Sequence, residues 1–204
     1  MSRSHKGPGA RDGRVARELR IVGGTLRGRK FRFPDGAGVR PTPDRVRETL
    51  FNWLAPHVAG ARCLDLFAGS GALGLEAASR GAAHVTFVDS NGASVRQLKL
   101  LAADWSLANV QIVQGEALEW LAAQATPFDV VFLDPPFDSD LLARSLAQLA
   151  ARSWVAATGF VYVEHAQREA APALPPGWSV HRSGKAGEVG YHLYRPPASP
   201  GGPQ

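Results

Sequence analysis

The chain has 204 residues, 45% of them hydrophobic and 20% charged, with one cysteine and a formal net charge of +5. That length suits one domain with a proper core. The lone Cys63 excludes an internal disulfide and a cysteine-built metal site, and no run approaches the roughly 18 apolar residues of a membrane span. With no apolar segment behind the basic N-terminus to serve as an export signal, the expected setting is the reducing cytoplasm.

Charge is unevenly spread. Residues 1–60 hold 13 Lys or Arg against 5 Asp or Glu, a net +8, while residues 61–204 hold 10 against 13, a net −3. A basic front on a slightly acidic body predicts a polyanionic partner met by the front. Residues 1–18 are rich in Gly, Pro and Arg without apolar periodicity and read as a disordered basic tail. Residues 19–33, LRIVGGTLRGRKFRF, read as a β-hairpin carrying Arg20, Arg27, Arg29, Lys30 and Arg32. A loop containing Arg40 follows. A helix is then expected, with Thr42 as N-cap and Pro43 at the first helical position. Val46, Leu50, Trp53 and Leu54 give it one apolar face, Arg45 and Arg47 lie off that face, and Pro56 ends it. The sequence leaves open whether residues 19–60 form a separate domain or an N-terminal extension.

From residue 61 the pattern alternates. Apolar runs at 62–67, 84–88, 110–113, 128–133 and 159–163 are separated by helical stretches near 71–80, 92–104, 116–124 and 139–151. This predicts an α/β fold of parallel βαβ units in a doubly wound sheet. WSVHRS and VGYHLYR, around GKAGE, read as an antiparallel hairpin closing one edge, which makes seven strands in residues 61–195. Residues 196–204 read as a second disordered tail.

The stretch CLDLFAGSGALGLEAASRG follows the first strand of this unit and opens a helix. Gly69, Gly71 and Gly74 fit G-x-G-x-x-G, and Asp89 ends the next strand fifteen residues on. Glycines let the backbone approach a ligand closely, and an acid at the second strand's tip accepts from ribose hydroxyls. The loop alone admits a dinucleotide or S-adenosylmethionine. Asp65, just ahead of the glycines, favours the latter, because an amino-acid moiety needs an acceptor for its α-amino group. Glu116, past a third strand, either meets an adenine amino group or, with Glu119, serves the first turn of a helix. Both readings stay open.

The fourth strand ends in Asp134, Pro135, Pro136 and Phe137. Proline stops the strand and stiffens the corner. The corner offers a carboxylate acceptor, a carbonyl at Pro135 and an aromatic platform. An exocyclic base amine is a poor nucleophile until two acceptors hold its N–H bonds and free its lone pair, and positioning then supplies most of the catalysis. The alternative is a proline-capped strand end followed by a helix with Asp138 or Ser139 as its cap.

RIVGGTLRGRKF, RPTPDRVRETLFNWL, CLDLFAGSGALGLEAASRGA, FLDPPF and GEVGYHLY together resemble the bacterial 16S rRNA guanine-N2 methyltransferases of the small subunit, the D-type family, over residues 20–195. The resemblance implies a Rossmann-like class I fold and methyl transfer from S-adenosylmethionine to N2 of a guanine, G966, in 16S rRNA within the small subunit or an assembly intermediate. It implies cofactor roles for Asp65, Phe67, Ala68, Gly69, Gly71, Gly74, Asp89, Ser90, Glu116 and Ala117. Asp134 to Phe137 take the amine. Arg40 and Thr42, in the R-P-T segment near the cofactor mouth, join Arg20, Arg27, Arg29, Lys30, Arg32, Arg45 and Arg47 on the RNA side. A monomer is expected, with no metal and no membrane partner. Two alternatives remain: a DNA adenine-N6 methyltransferase, for which the chain has little room for a sequence-reading domain, and a non-catalytic RNA-binding assembly factor. A dehydrogenase is the weakest option.

Overall fold

The computed structural model describes residues 17–33, 42–137 and 139–197. The expectations for residues 1–16, Arg40, Asp138 and residues 198–204 lie outside the described residues.

β1 (Arg17–Arg20) and β2 (Lys30–Phe33) pair antiparallel, with Arg17 opposite Phe33 and Arg20 opposite Lys30. Successive side chains alternate faces, so Phe31 and Phe33 are buried while Lys30 and Arg32 are exposed. α1 (Asp44–Trp53) buries Val46, Leu50 and Phe51. The expected cap is displaced by one residue. Pro43 occupies the N-cap, its carbonyl accepting from the N–H groups of Val46 and Arg47 at 2.9 and 3.0 Å. Thr42 instead donates its hydroxyl to Glu164, 122 residues away. Pro56 does not end α1 but lies in the first turn of a short helix, α2 (Ala55–Val58), where its missing N–H costs nothing.

Seven strands form the main sheet: β3 (Arg62–Asp65), β4 (His84–Asp89), β5 (Val110–Gln114), β6 (Phe128–Leu133), β7 (Val155–Ala166), β8 (Ser179–Ala186) and β9 (Val189–Arg195). Their order is β5-β4-β3-β6-β7-β9-β8. β5 to β7 through β3 are parallel, and β9 and β8 are antiparallel. The helices between strands are α3 (Ala72–Ser79), α4 (Gly92–Asp104), α5 (Ala117–Leu121) and α6 (Leu141–Ala151). β7 starts four residues earlier than the apolar pattern suggests, and its register against β6 shifts between the Phe128 and Val130 pairings. Ala156, Ala157, Thr158 and Gly159 carry no periodic signal there.

The period-2 alternation sorts the core. Cys63, Phe87, Phe132 and Tyr162 pack on one face with Ile21, Phe31, Val46, Leu50, Leu73 and Leu98, so the hairpin, α1, α3 and α4 share one apolar cluster with the sheet. Leu64, Val88, Leu133 and Val163 pack on the other with Leu121, Leu146 and Trp154. The residues following Leu64, Val88, Leu133 and Val163 are Asp65, Asp89, Asp134 and Glu164. Parity therefore puts all four acids on the hairpin and α1 side of the sheet, at the carboxyl ends of adjacent strands.

The loop between β1 and β2 is bonded to α3. The N–H groups of Val22 and Gly23 donate to the Glu76 carboxylate at 2.8 and 2.7 Å. Leu26 N–H donates to Ser79 Oγ at 2.9 Å, and that hydroxyl donates to Gly23 O at 2.6 Å. Glu76 is fully buried and is paired with Arg80 at 2.8 Å and Arg47 at 3.6 Å. Among the described residues, no helix is long and apolar enough to cross a membrane.

Candidate active site

The strand order reverses at β3, since β4 and β5 lie to one side and β6 to the other. Ligands of open α/β sheets bind in the crevice at such a switch, outside the strands' carboxyl ends. Asp65 ends β3 there, and Asp134 directly follows β6.

Gly71 is the N-cap of α3 at φ +78°, in the left-handed region where a side chain is strained. It offers no side-chain cap, and Asp65 supplies one from the strand end: its Oδ2 accepts from Gly74 N–H at 2.9 Å. Gly74 has a packing task, because a Cβ there would overlap the Phe87 ring. Asp89 folds back onto the glycine turn, Oδ2 accepting from Gly69 N–H at 2.6 Å and Oδ1 from Asn91 N–H at 2.7 Å. Each carboxylate oxygen has two acceptor sites, so both acids keep capacity for a ligand. Asn91 caps α4 by accepting from the N–H groups of Ala93 and Ser94. Glu116 is exposed at the N-cap of α5 and makes no side-chain capping bond, and Ala117 behind it is buried. Ser90 is exposed beside Asp89.

Asp134, partly exposed, accepts no hydrogen bond from any described residue. Pro135 behind it is buried, Pro136 exposed and Phe137 half-buried. Ser139 donates its hydroxyl to Pro136 O at 2.6 Å. The N-cap of α6 is Asp140, one residue past the expected Ser139. Thr42, Asp65, Phe67, Ala68, Ser70, Leu73 and Asp134 line one small cavity, which brings the glycine turn and the proline corner together.

The acids are held against their ordinary ionisation. Desolvation, then the nearby charges of Asp89 and Glu164, pushes Asp65 up to about 7 although the Gly74 bond opposes this. Desolvation, followed by the Glu164 and Asp65 charges, raises Asp134 well above the usual carboxylate range. Glu164 is raised by burial despite accepting from Thr42 and Tyr162. Perturbed acids converging on a cleft make a candidate functional site.

Sequence reasoning missed Glu164 and Ser70. Glu164 obeys the rule that found the other three acids, an acid at a strand's carboxyl end, but it falls one residue beyond the apolar run at 159–163. Ser70 has no periodic or motif signal apart from lying between two glycines.

The basic residues separate into two groups. Arg20, Arg27, Arg29, Lys30, Arg32 and Arg45 are exposed. Arg20 pairs with Asp44 at 2.7 Å, Lys30 with Glu18 at 2.8 Å, and Arg29 lies over the Trp105 ring at 5.7 Å. Arg47 and Thr42 correct the expected RNA-facing set. Arg47 is 0% exposed, and its guanidinium donates to Arg20 O and Asp44 while lying beside Glu76. Helix periodicity alone puts Arg47 off the apolar face, but the end of β1 and Glu76 of α3 meet it on that side.

The fold is that of a Rossmann-like methyltransferase. The family model described as conserved hypothetical protein 95 matches residues 19–195. The chain is 47% identical over 178 residues to ribosomal RNA small subunit methyltransferase D of Escherichia coli K12, covering 87% of this chain and 90% of that protein. It is 40% identical over 182 residues to the Haemophilus influenzae protein of the same name, covering 87% and 94%. The solved yhhF protein of Escherichia coli superposes with a TM-score of 0.81 at 46% identity, over 89% of this chain and 99% of that one. A Thermus thermophilus 16S rRNA N2 G1207 methyltransferase, RsmC, solved with AdoMet and guanosine, matches at 0.64 and 26% identity, over 90% of this chain and 50% of that one. The chain belongs to the small-subunit rRNA methyltransferase D family.

Proposed function

We propose that the protein transfers a methyl group from S-adenosylmethionine to the exocyclic N2 of a guanine in 16S rRNA, G966, acting as a cytoplasmic monomer on the small subunit or an assembly intermediate. The observation that carries this reading is the order of acceptors across the sheet. β5, β4, β3 and β6 are neighbours, and their ends present Glu116, Asp89, Asp65 and Asp134 in that order. At about 4.8 Å per strand the row spans roughly 14 Å. An elongated ligand with an adenine amine, ribose hydroxyls and an α-ammonium in sequence matches such a row, with its far end beside Asp134. No phosphate is needed, which suits a row of carboxylates and disfavours a dinucleotide.

When bound, S-adenosylmethionine supplies an already activated methyl on a sulfonium, so no metal is required. The chain's own residues do the rest. Asp65 accepts from the ammonium while still capping α3 through Gly74. Asp89 accepts from the ribose while fixing the Gly69 turn. Asp134 and the Pro135 carbonyl hold the target amine, the rigid prolines keep the two acceptors in register, and Phe137 stacks on the base, worth about 1–3 kcal/mol. A carboxylate accepts two parallel donors. Guanine offers N1–H beside N2–H, whereas adenine sets a bare acceptor beside its N6 amine, so the corner with Asp134 ionised favours guanine. The exposed cations of the hairpin meet phosphates, and a base in a loop or bulge leaves its stack at least cost.

Transfer of labelled methyl from S-adenosylmethionine to 16S rRNA, small subunits and duplex DNA tests the reading. Label on N2 of one guanine, in RNA or particle, is expected. Label on adenine in DNA, or binding to RNA with no transfer to any of the three, overturns it.

A further inference from the structure

Glu164 lies on β7 at the same-face position after Tyr162 and is 2% exposed. Continuing the β6–β7 register beyond Leu133 and Val163 sets it beside Asp134. Its Oε1 accepts two hydroxyls, Thr42 Oγ1 at 2.6 Å and Tyr162 Oη at 2.9 Å. Thr42 is itself 2% exposed, and it lines the small cavity with Asp65 and Asp134. Its carbonyl accepts from Arg47 Nε at 3.3 Å, and the same guanidinium donates to Arg20 O at 2.9 Å, at the end of β1. A continuous line of bonds thus runs from the acid edge of the sheet to the base of the exposed hairpin. A threonine placed only to start α1 would turn its hydroxyl to the helix N–H groups; this one turns the other way. A buried carboxyl next to two others is costly to ionise, and a neutral glutamine could accept the same two hydroxyls, so tethering alone does not call for an acid.

We propose that Glu164 is a positioning residue for methyl transfer: it clamps Thr42, and through Arg47 the RNA-facing hairpin, in register with the Asp134 corner, so that the docked RNA delivers its base to the acceptors. This rests on the methyl-transfer reading above. Among the described residues, the titratable groups facing Glu164 are Asp134 from β6, Asp65 from β3, Tyr191 paired with it from β9, and Tyr162 on its own strand. The charge of Glu164 adds to the desolvation that raises Asp134.

The test compares Thr42→Val, Thr42→Ser and Glu164→Gln. Thr42→Val is expected to lower kcat/KM for 16S rRNA about tenfold or more, since small misplacements act on that scale, with KM for S-adenosylmethionine nearly unchanged. Thr42→Ser restores most of the loss. Glu164→Gln, whose one carbonyl oxygen can still accept both hydroxyls, keeps the clamp and most of the rate. The clamp is also read without turnover. Amide exchange at Val46 and Arg47, whose N–H groups bond Pro43 O, speeds about tenfold in Thr42→Val as local opening becomes easier. Unchanged exchange in Thr42→Val overturns the clamp whatever the activity, and so does exchange in Glu164→Gln as fast as in Thr42→Val. A rise in KM for S-adenosylmethionine in step with the lost rate also overturns it, as general damage. If wild-type protein transfers no methyl to RNA, the functional reading fails while the exchange result still decides the clamp.

Discussion

The N-terminal extension and the carboxyl edge of the sheet use charge in opposite ways. On the hairpin, Arg27, Arg29, Lys30 and Arg32 stand in solvent, where their charges are screened by salt and surface pairs such as Lys30 with Glu18 contribute little. At the sheet edge, burial raises the pKa values of Asp65, Asp134 and Glu164, and the charge of Glu164 adds to the rise at the other two, so a change at Glu164 reaches its neighbours. The two meet at Arg47 and Thr42, both buried. A solvated cation is replaceable one step at a time, while a desolvated cluster fails as a unit.

Substitutions sharpen that contrast. The largest stability effect is expected from Arg47→Ala. It leaves Glu76 short of a buried partner, and breaking a buried pair costs about 3–5 kcal/mol, readable by chemical denaturation. If the loss stays under about 1 kcal/mol, the junction between the two regions is not where they are held together. Asp134→Ala is expected to lower kcat about 10²–10³-fold, the scale of losing one preorganised hydrogen-bonding group, with affinity for S-adenosylmethionine and RNA little changed in direct binding measurements.

Asp65 allows a pH test. Its folded value of about 7 lies above the ordinary aspartate value of 3.8. The carboxyl therefore favours the fold at low pH. That contribution is lost as pH rises from about 4 through about 7, at about 1.4 kcal/mol for each pH unit crossed. Asp65→Asn should accordingly raise the melting temperature at pH 8 and leave it nearly unchanged at pH 4, while weakening cofactor binding. In the wild type, kcat/KM for S-adenosylmethionine should rise as pH passes about 7, because the free protein's Asp65 must ionise to accept an ammonium. A melting temperature that falls at pH 8 in Asp65→Asn would contradict the burial argument.

The smallest effects belong to the hairpin. Arg27→Ala or Arg32→Ala should each weaken RNA binding a few-fold and reduce the salt slope by about one counterion, with kcat at saturating RNA unchanged. A single hairpin change that abolishes turnover would erase the distinction between the regions.

Much of this was legible in the sequence because the relevant signals are local. Alternating apolar runs gave the sheet, the antiparallel end and the helix positions, and the acids at strand ends gave three of the four edge carboxyls. What escaped was decided by contacts across the chain. Thr42 has every local reason to cap α1, yet a buried carboxyl 122 positions away takes its hydroxyl. Arg47 lies off the apolar stripe of an isolated helix, yet the end of β1 and Glu76 close over it. Glu164 was hidden because β7 runs to Ala166, past the point where its apolar run stops. In each case the missing information was which distant element covers the residue.

The most direct test of the central claim maps the modified nucleotides of 16S rRNA by mass spectrometry in cells lacking this protein, complemented with wild type or with Asp134→Ala. One N2-methylguanine is expected to be lost in the deletion, to return with wild type and to stay absent with Asp134→Ala. A map unchanged by the deletion, or restored equally by the Asp134→Ala protein, would contradict it.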